Sequence, residues 1–159
     1  MMIKAAGCIV ILLSSALLSM LLGRLGRNRL LAIDEVKKLL RHISRNIESF
    51  LTPVGVIIST YHSQYLEDLG FAEDMRRDGL CAAFLRGYLD LPTEAEELLI
   101  EFSVGLGDMY ADDEVKRCLH YIALLEEIEC SEKARVEKNR DLYRFLPPLG
   151  ALSLIIILL

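Results

Sequence analysis

The sequence has no tryptophan, and its 159 residues include only four prolines and ten glycines. Because few of its residues interrupt helices, the composition favours an all-helical protein. The cysteines form no C-x-x-C motif, so we interpret them as small core or surface residues and not as a disulfide framework; they are Cys8, Cys81, Cys118 and Cys130. The net charge of −5 provides no basic excess, which argues against nucleic acid as a partner.

Catalytic motifs are also missing, since the chain has no G-x-S-x-G, no H-E-x-x-H and no phosphate-binding loop. Cys118 and His120 lie two residues apart, so on a helix they point in different directions and cannot share a metal ion. Two acidic helix faces could hold a metal, but exposed helix acids usually contact only water; these faces are Glu94, Glu96, Glu97 and Glu101, and Glu126, Glu127, Glu129 and Glu132. We therefore predict a protein that is not an enzyme and uses no cofactor or metal.

What the chain does contain is an uncharged run from Ala5 to Leu22, bracketed by Lys4 and Arg24. About 20 residues, rising 1.5 Å each, cross a hydrocarbon core of roughly 30 Å. A cleaved signal peptide would have a shorter apolar core. A lipoprotein signal would place its apolar stretch before Cys8, and here that stretch follows it. We predict an N-terminal transmembrane helix over residues 1–23.

A second apolar run closes the sequence at residues 145–159, and the residues between the runs are charged and amphipathic. We therefore predict an all-α protein in which a cytoplasmic helical bundle, residues 24–144, lies between the N-terminal transmembrane helix and a short C-terminal one, residues 145–159. The tandem prolines Pro147 and Pro148 remove backbone donors, so we predict a break or kink at residues 145–148.

Basic residues flank the middle region on both sides, and basic juxtamembrane segments stay in the cytoplasm. They are Arg24, Arg27, Arg29, Lys37, Lys38 and Arg41 on one side and Lys133, Arg135, Lys138, Arg140 and Arg144 on the other. Both termini are then predicted on or near the outer side. Membrane-proximal anchors that suit lipid headgroups are predicted at Arg24, Arg27, Arg29, Tyr143 and Arg144.

Small residues form one face of the first apolar run, because Ser15, Ser19 and Gly23 are each four residues apart. Such a face lets two membrane helices pack closely, and the second run offers Gly150 and Ser153 as its partners. The alternative is that serine is simply tolerated in a membrane helix, and the sequence leaves both interpretations open.

Apolar residues in the first part of the middle region alternate steps of three and four, which predicts a helix with one buried stripe. The stripe is Ile33, Val36, Leu40, Ile43, Ile47 and Phe50. Thr52 and Pro53 predict the cap and first position of a second helix that continues to near Gly70. Shorter helices are predicted for residues 71–77 and 80–89.

Thr93 and Glu96 have the spacing of a capping box, which predicts the start of another helix. We predict its end at residues 105–107, where two glycines follow a helix and therefore fit a C-cap better than a phosphate loop. The last helix is predicted to begin at Asp112 with acids in its first turn. Its predicted core face is Val115, Cys118, Leu119, Ile122, Leu125 and Ile128.

The approach to the second apolar run, Glu137-Lys138-Asn139 and then Leu142-Tyr143-Arg144-Phe145-Leu146, resembles the stage III sporulation protein AB family. Three further features are similar to this family: the two apolar ends, the pair Ile47-Glu48 before Thr52-Pro53, and Phe102 before Gly105-Leu106-Gly107. The likeness therefore covers essentially the whole chain. One departure is Pro147-Pro148, where the family tends to have glycine; this argues against a straight second span.

The resemblance implies a non-enzymatic platform or scaffold subunit of a secretion-like channel needed for spore development. Its place would be the mother-cell membrane facing the forespore of an endospore-forming bacterium. Its cytoplasmic domain would be similar to that of type II secretion and type IV pilus platform proteins. The implied partners are membrane lipids, the other channel subunits and the secretion-type ATPase of the assembly.

Two alternatives belong to other classes of protein. A type II secretion or type IV pilus inner-membrane platform protein usually has two repeated cytoplasmic domains, and this sequence shows no internal repeat. A membrane-bound hydrolase would use Cys118 or one of the glutamate clusters.

Overall fold

The computed structural model describes the backbone of residues 2–158 and the side chains of residues 26–138, together with those of Ser14 and Leu17. Residues 2–158 form seven α-helices and no β-strand, which confirms the all-α prediction. The helices are α1 (Met2–Phe50), α2 (Val54–Thr60), α3 (Gln64–Asp68), α4 (Phe71–Asp78), α5 (Leu80–Leu85), α6 (Thr93–Val104) and α7 (Ala111–Leu158).

The chain divides into two compact units, one of Met1–Asn28 with Ser131–Leu159 and one of Arg29–Cys130. In the first unit Gly26 on α1 faces Val136 on α7, and a Cβ atom at Gly26 would lie 2.9 Å from Val136 Cγ2. Because carbon atoms that are not bonded to each other do not approach this closely, a residue larger than glycine would force Val136 or one of the helices to shift at this point.

Nearly all of both apolar runs lies outside the described side chains. Within the described part of the chain, no helix combines the length and the apolar character that a membrane span requires. The transmembrane helices predicted over residues 1–23 and 145–159 fall outside the described side chains. The same is true of the predicted packing residues Ser15, Ser19, Gly23, Gly150 and Ser153.

Of the break or kink predicted at residues 145–148, the break is wrong, because α7 continues as a helix through Pro147 and Pro148 to Leu158; the kink stays a prediction. The prediction overestimated what a proline does to a helix. A proline withholds its own N–H and crowds the preceding turn, and both effects can bend a helix without ending it.

The core of the second unit is built on the inner stripe of α1. Its buried residues are Ala32, Ile33, Val36, Leu39, Leu40, Ile43 and Ile47. This confirms the predicted stripe except at Phe50, which ends α1 and is 75% exposed. Cys118, Ile122 and Leu125 bring α7 into the same core, whereas Leu119, predicted on that face, is 56% exposed.

Charge pairs join the first and last helices of this unit. Lys37 on α1 donates a hydrogen bond to Glu129 on α7, and both side chains are nearly buried. One helical turn further along, Arg41 Nη2 lies 2.8 Å from Glu126 Oε1 in an exposed pair. A buried pair fixes geometry more than it adds stability, because the desolvation of both ions offsets most of their attraction.

The region before Gly70 forms two helices where the sequence predicted one. α2 ends at Thr60, and Tyr61 adopts an extended backbone with ψ of 129°. The hydroxyls of Ser59 and Thr60 donate to the Val56 carbonyl at 2.8 and 2.9 Å. Local hydroxyl bonds of this kind compete with helix continuation, which explains the early end of α2.

Both predicted threonine caps are wrong for the same reason, an adjacent proline. α2 begins after Pro53 with no side-chain cap bond, and α6 begins at Thr93 with Pro92 in the cap position. The amides of Ala95 and Glu96 donate to the Pro92 carbonyl at 2.9 and 3.0 Å. Proline supplies the extended backbone that precedes a first helical turn, so Thr93 is already inside the helix and forms no capping box with Glu96.

Candidate functional site

The predicted membrane-proximal anchors are only partly described. Arg24, Tyr143 and Arg144 lie outside the described side chains, and Arg27 is exposed. Arg29 Nε donates to Asp90 Oδ1 at 3.1 Å, and both side chains keep about a third of their surface exposed, 35% and 38%. A surface pair of this kind contributes little stability. The anchoring role of these residues remains a prediction.

The acidic face of α6 borders an open groove of about 350 Å³ against α7. The groove is lined by Glu94, Glu97, Leu98, Glu101, His120, Tyr121 and Leu124. Burial and the charge of Glu101 raise the pKa of the Tyr121 phenol. Across the described residues, no three His, Cys, Asp or Glu side chains are arranged to hold a metal ion. The groove therefore offers carboxylates beside leucines, a surface suited to contact with another molecule.

Cys118 does not reach this groove, because its side chain is fully buried in the core. Burial, followed by the charge of Glu114, raises the pKa of the Cys118 thiol to about 12. A thiol with that pKa is protonated at neutral pH and is a poor nucleophile. The geometry argues against a hydrolase that uses Cys118. Of the other described cysteines, Cys81 is half-buried, Cys130 is exposed, and both are free thiols.

Arg117 joins α6 to α7, and sequence patterns gave no sign of this role. Its guanidinium donates to the backbone carbonyls of Phe102 and Gly105 at the end of α6. It also lies over the rings of Phe102 and Tyr121, at 5.2 and 5.7 Å from their centroids. Glu114 Oε1 is 3.6 Å from Arg117 Nη1, and the Glu114 side chain is 2% exposed. Arg117 thus satisfies helix-end carbonyls and compensates a buried carboxylate at once.

A second charged cluster joins α4 to the segment that follows α5. Asp74 is buried and accepts hydrogen bonds from Arg77 Nη2 at 2.7 Å and from Tyr88 Oη at 2.6 Å. Arg86 also pairs with Asp74, and it bonds Asp78 Oδ2 at 2.6 Å. The bonds from Arg86 and then Tyr88 hold the pKa of Asp74 below its usual value. The cluster organises short helices and leaves no free nucleophile.

One end of the second unit exposes apolar side chains, and we call this surface the apolar tip. Its residues are Phe50, Leu51, Val104, Met109 and Tyr110, exposed by 75, 73, 69, 55 and 85%. They come from the end of α1 and the residue after it, and from the end of α6 and the α6–α7 loop. These two segments meet where a Cβ atom at Gly107 would lie 3.5 Å from Val54 Cγ2. The hydrophobic pattern predicted Phe50 as core, so it gave no indication of this surface.

No protein-family model, no curated protein and no solved structure matches this chain. The resemblance to the stage III sporulation protein AB family therefore rests on the sequence motifs alone.

Proposed function

We propose that this protein is a non-enzymatic, membrane-anchored platform subunit of a secretion-like sporulation channel. It would lie in the mother-cell membrane that faces the forespore, with residues 24–144 in the cytoplasm. There it would connect a secretion-type ATPase to the membrane components of the channel. Its anchors would be the two apolar runs, and its partners would be membrane lipids, the other channel subunits and the ATPase.

The observation that carries this proposal is the position of the apolar runs on the fold. They belong to α1 and α7, the first and last helices, and the same two helices contribute to one core in the second unit. Basic residues flank both runs on the inner side. A domain held by its two longest helices is suited to pass position or force between a soluble motor and membrane proteins.

The described residues support a binding role more readily than a catalytic one. Cys118 is buried and protonated, and the charged residues around Asp74 and Arg117 are engaged with one another or with backbone carbonyls. The apolar tip and the acidic groove are surfaces, and neither encloses a substrate. Exposed apolar patches of this kind on soluble domains mark contacts with other proteins or with lipid.

The test is affinity purification of the full-length tagged chain from sporulating cells in mild detergent. The secretion-type ATPase of the assembly should be recovered, and a tagged, unrelated two-span membrane protein should not recover it. Reproducible absence of the ATPase would count against the platform role. Recovery of a pilus or secretion assembly from vegetative cells would favour the type II secretion or type IV pilus alternative.

A further inference from the structure

We propose that the apolar tip is a docking surface for a protein that presents an apolar patch edged by lysine or arginine side chains. The inference rests on the proposed function, because it identifies the surface by which the platform subunit would bind its soluble partner. Four features of the tip carry it: exposure, backbone conformation, supporting contacts and charge.

Exposure at the tip exceeds what isolated surface residues explain. Phe50 and Leu51 are adjacent and are 75% and 73% exposed, and Tyr110 is 85% exposed. The contact between Gly107 and Val54 brings their two segments to the same end of the unit. Single exposed apolar side chains are common, whereas large apolar side chains gathered from two segments are typical of an interface. Aromatic residues and methionine are enriched in interface cores.

Leu51 has an unusual backbone conformation for a leucine. Its φ is +50°, and in the part of the chain that the structure describes it is the only residue other than glycine with positive φ. Its amide donates to the Ile47 carbonyl at 3.1 Å, which closes α1 with a left-handed cap. Glycine is the usual residue at this position because it has no Cβ to strain. The chain instead holds a leucine there and directs it to solvent, and such strain is typical of functional positions.

Contacts beneath the tip support both segments that carry it. Arg117 binds the carbonyls of Phe102 and Gly105, and so fixes the start of the α6–α7 loop. Val54 packs on the core and meets Gly107. A surface that is already ordered loses little conformational entropy when a partner binds, which favours affinity.

The charge around the tip favours a partner that has basic residues at its edge. Residues 46–60 and 104–115, the two segments that carry the tip, contain no lysine or arginine; their acidic residues are Glu48, Asp108, Asp112, Asp113 and Glu114. Asp113 pairs with Lys116 at 3.2 Å and Glu114 is buried beside Arg117, so the exposed acids that edge the tip are Glu48, Asp108 and Asp112. An anionic lipid surface would be repelled by these acids. A second copy of the tip would present the same acids, which would also oppose association. A basic rim around an apolar patch complements both features.

The test is site-specific photo-crosslinking in the native host during sporulation. Tyr110 in the full-length chain is replaced by a benzoylphenylalanine residue, which is a small change at an exposed aromatic position. Leu85, exposed by 63% and distant in sequence from the tip, receives the same probe as a matched control. We expect the probe at position 110 to crosslink a protein partner and the probe at 85 to give no such product. Mass spectrometry should place the crosslink beside lysine or arginine on the surface of the partner.

Two variants in the background of the position-110 probe test the apolar and charged parts separately. Leu51→Gly relieves the strained backbone, so the thermal midpoint should be kept or raised while the crosslink yield falls about tenfold, the effect of losing a central apolar anchor. Asp112→Lys should also lower the yield. Leu119→Ala, which removes an exposed leucine outside the tip, should leave the yield unchanged.

Several results would overturn the inference. They are crosslinks to lipid, crosslinks to a second copy of this chain, a partner surface edged by acids, or no crosslink at all. An unchanged yield in Leu51→Gly would do the same. These outcomes are distinguishable from failure of the proposed function. If affinity purification recovers the ATPase but the tip crosslinks no protein, only the docking surface is wrong. If the tip crosslinks a basic protein foreign to any secretion-like channel, only the platform role is wrong.

Discussion

Arg117 shows how one side chain can decide whether a helix end is stable. It donates to the Phe102 and Gly105 carbonyls and lies 3.6 Å from the buried carboxylate of Glu114. Neither oxygen of that carboxylate has a hydrogen-bond partner. The guanidinium is therefore the group that makes burial of the Glu114 charge tolerable.

Arg117→Leu should lower the free energy of unfolding by about 3 kcal/mol, because it leaves a buried charge uncompensated and helix-end carbonyls unpaired. Chemical denaturation of the full-length chain in detergent, followed by circular dichroism, measures this loss. Adding Glu114→Leu should recover part of it, since no buried charge then remains. A loss below about 1 kcal/mol would show that water reaches Glu114 in the variant.

Asp74 gives a pH-dependent prediction. Hydrogen bonds from Arg86 and Tyr88 lower the pKa of Asp74 from its usual value of 3.8. A carboxyl with a lowered pKa stabilises the fold above the unfolded pKa, and this contribution is lost as the pH falls through the folded pKa. Asp74→Asn should therefore be less stable than the wild type at pH 7, and the difference should shrink below pH 3.8.

Thermal unfolding of the wild type and of Asp74→Asn across this pH range measures the difference in their stability. The matched control is Asp68→Asn, which changes an exposed carboxylate three residues before Phe71. Its stability should stay close to the wild type at every pH, since exposed surface substitutions usually change stability by less than about 0.5 kcal/mol. A difference between Asp74→Asn and the wild type that persists unchanged at low pH would contradict the ionic explanation.

Two glycines in helices provide a matched test of packing. At Gly26 on α1 a Cβ atom would lie 2.9 Å from Val136 Cγ2, whereas at Gly55 on α2 nothing lies within 4 Å. Replacing a helical glycine by alanine normally stabilises by about 0.4 to 1 kcal/mol. We expect Gly55→Ala to show this gain. Gly26→Ala should show none or a loss, because the β-branched Val136 has little freedom to rotate away.

Thermal midpoints of the full-length chain in detergent decide between these outcomes. If both alanine variants are stabilised equally, α1 and α7 are not in close contact at Gly26 in solution. A Gly26→Ala, Val136→Ala double variant should regain the stability that Gly26→Ala lacks, because the methyl groups that the new Cβ would meet are then gone.

The helices that the sequence predicted well are those whose burial follows a simple period. The inner stripe of α1 and the buried positions of α7 follow the 3.6-residue repeat, because one face of a helix packs on one core. The helix predicted at residues 71–77 is found as α4 and is followed by Gly79 with φ of +91°, whereas the helix predicted at residues 80–89 ends early, at Leu85. A periodic apolar stripe predicts burial only where another part of the chain packs along it. In the described structure nothing covers Phe50 or Leu119, so both stay exposed.

The candidate surfaces could be predicted only in part. The acidic face of α6 was visible in the sequence, but its groove with His120 and Tyr121 depends on how α6 meets α7. Arg117, Asp74 and the apolar tip were missed because their partners come from other segments of the chain. Local patterns carry no information on such pairings.

In the whole molecule, the charged helical unit Arg29–Cys130 lies in sequence between two apolar runs. If both runs span the membrane, this unit faces one side only, and the basic residues beside the runs predict that this side is the cytoplasm. The proposed contact with a cytoplasmic ATPase depends on this orientation. The cysteines provide reporters for it, because their exposure differs within one unit.

Cys130 is the informative thiol, since it is exposed and free, while Cys118 is buried with its pKa raised to about 12. In a chain with Cys8 and Cys81 replaced by alanine, a membrane-impermeant maleimide should leave intact cells unlabelled and should label Cys130 after permeabilisation. Maleimides react with the thiolate, so Cys118 should stay unmodified until the protein is denatured and serves as an internal control for folding. Labelling of Cys130 in intact cells would invert the topology, and the apolar tip would then be unable to reach a cytoplasmic partner.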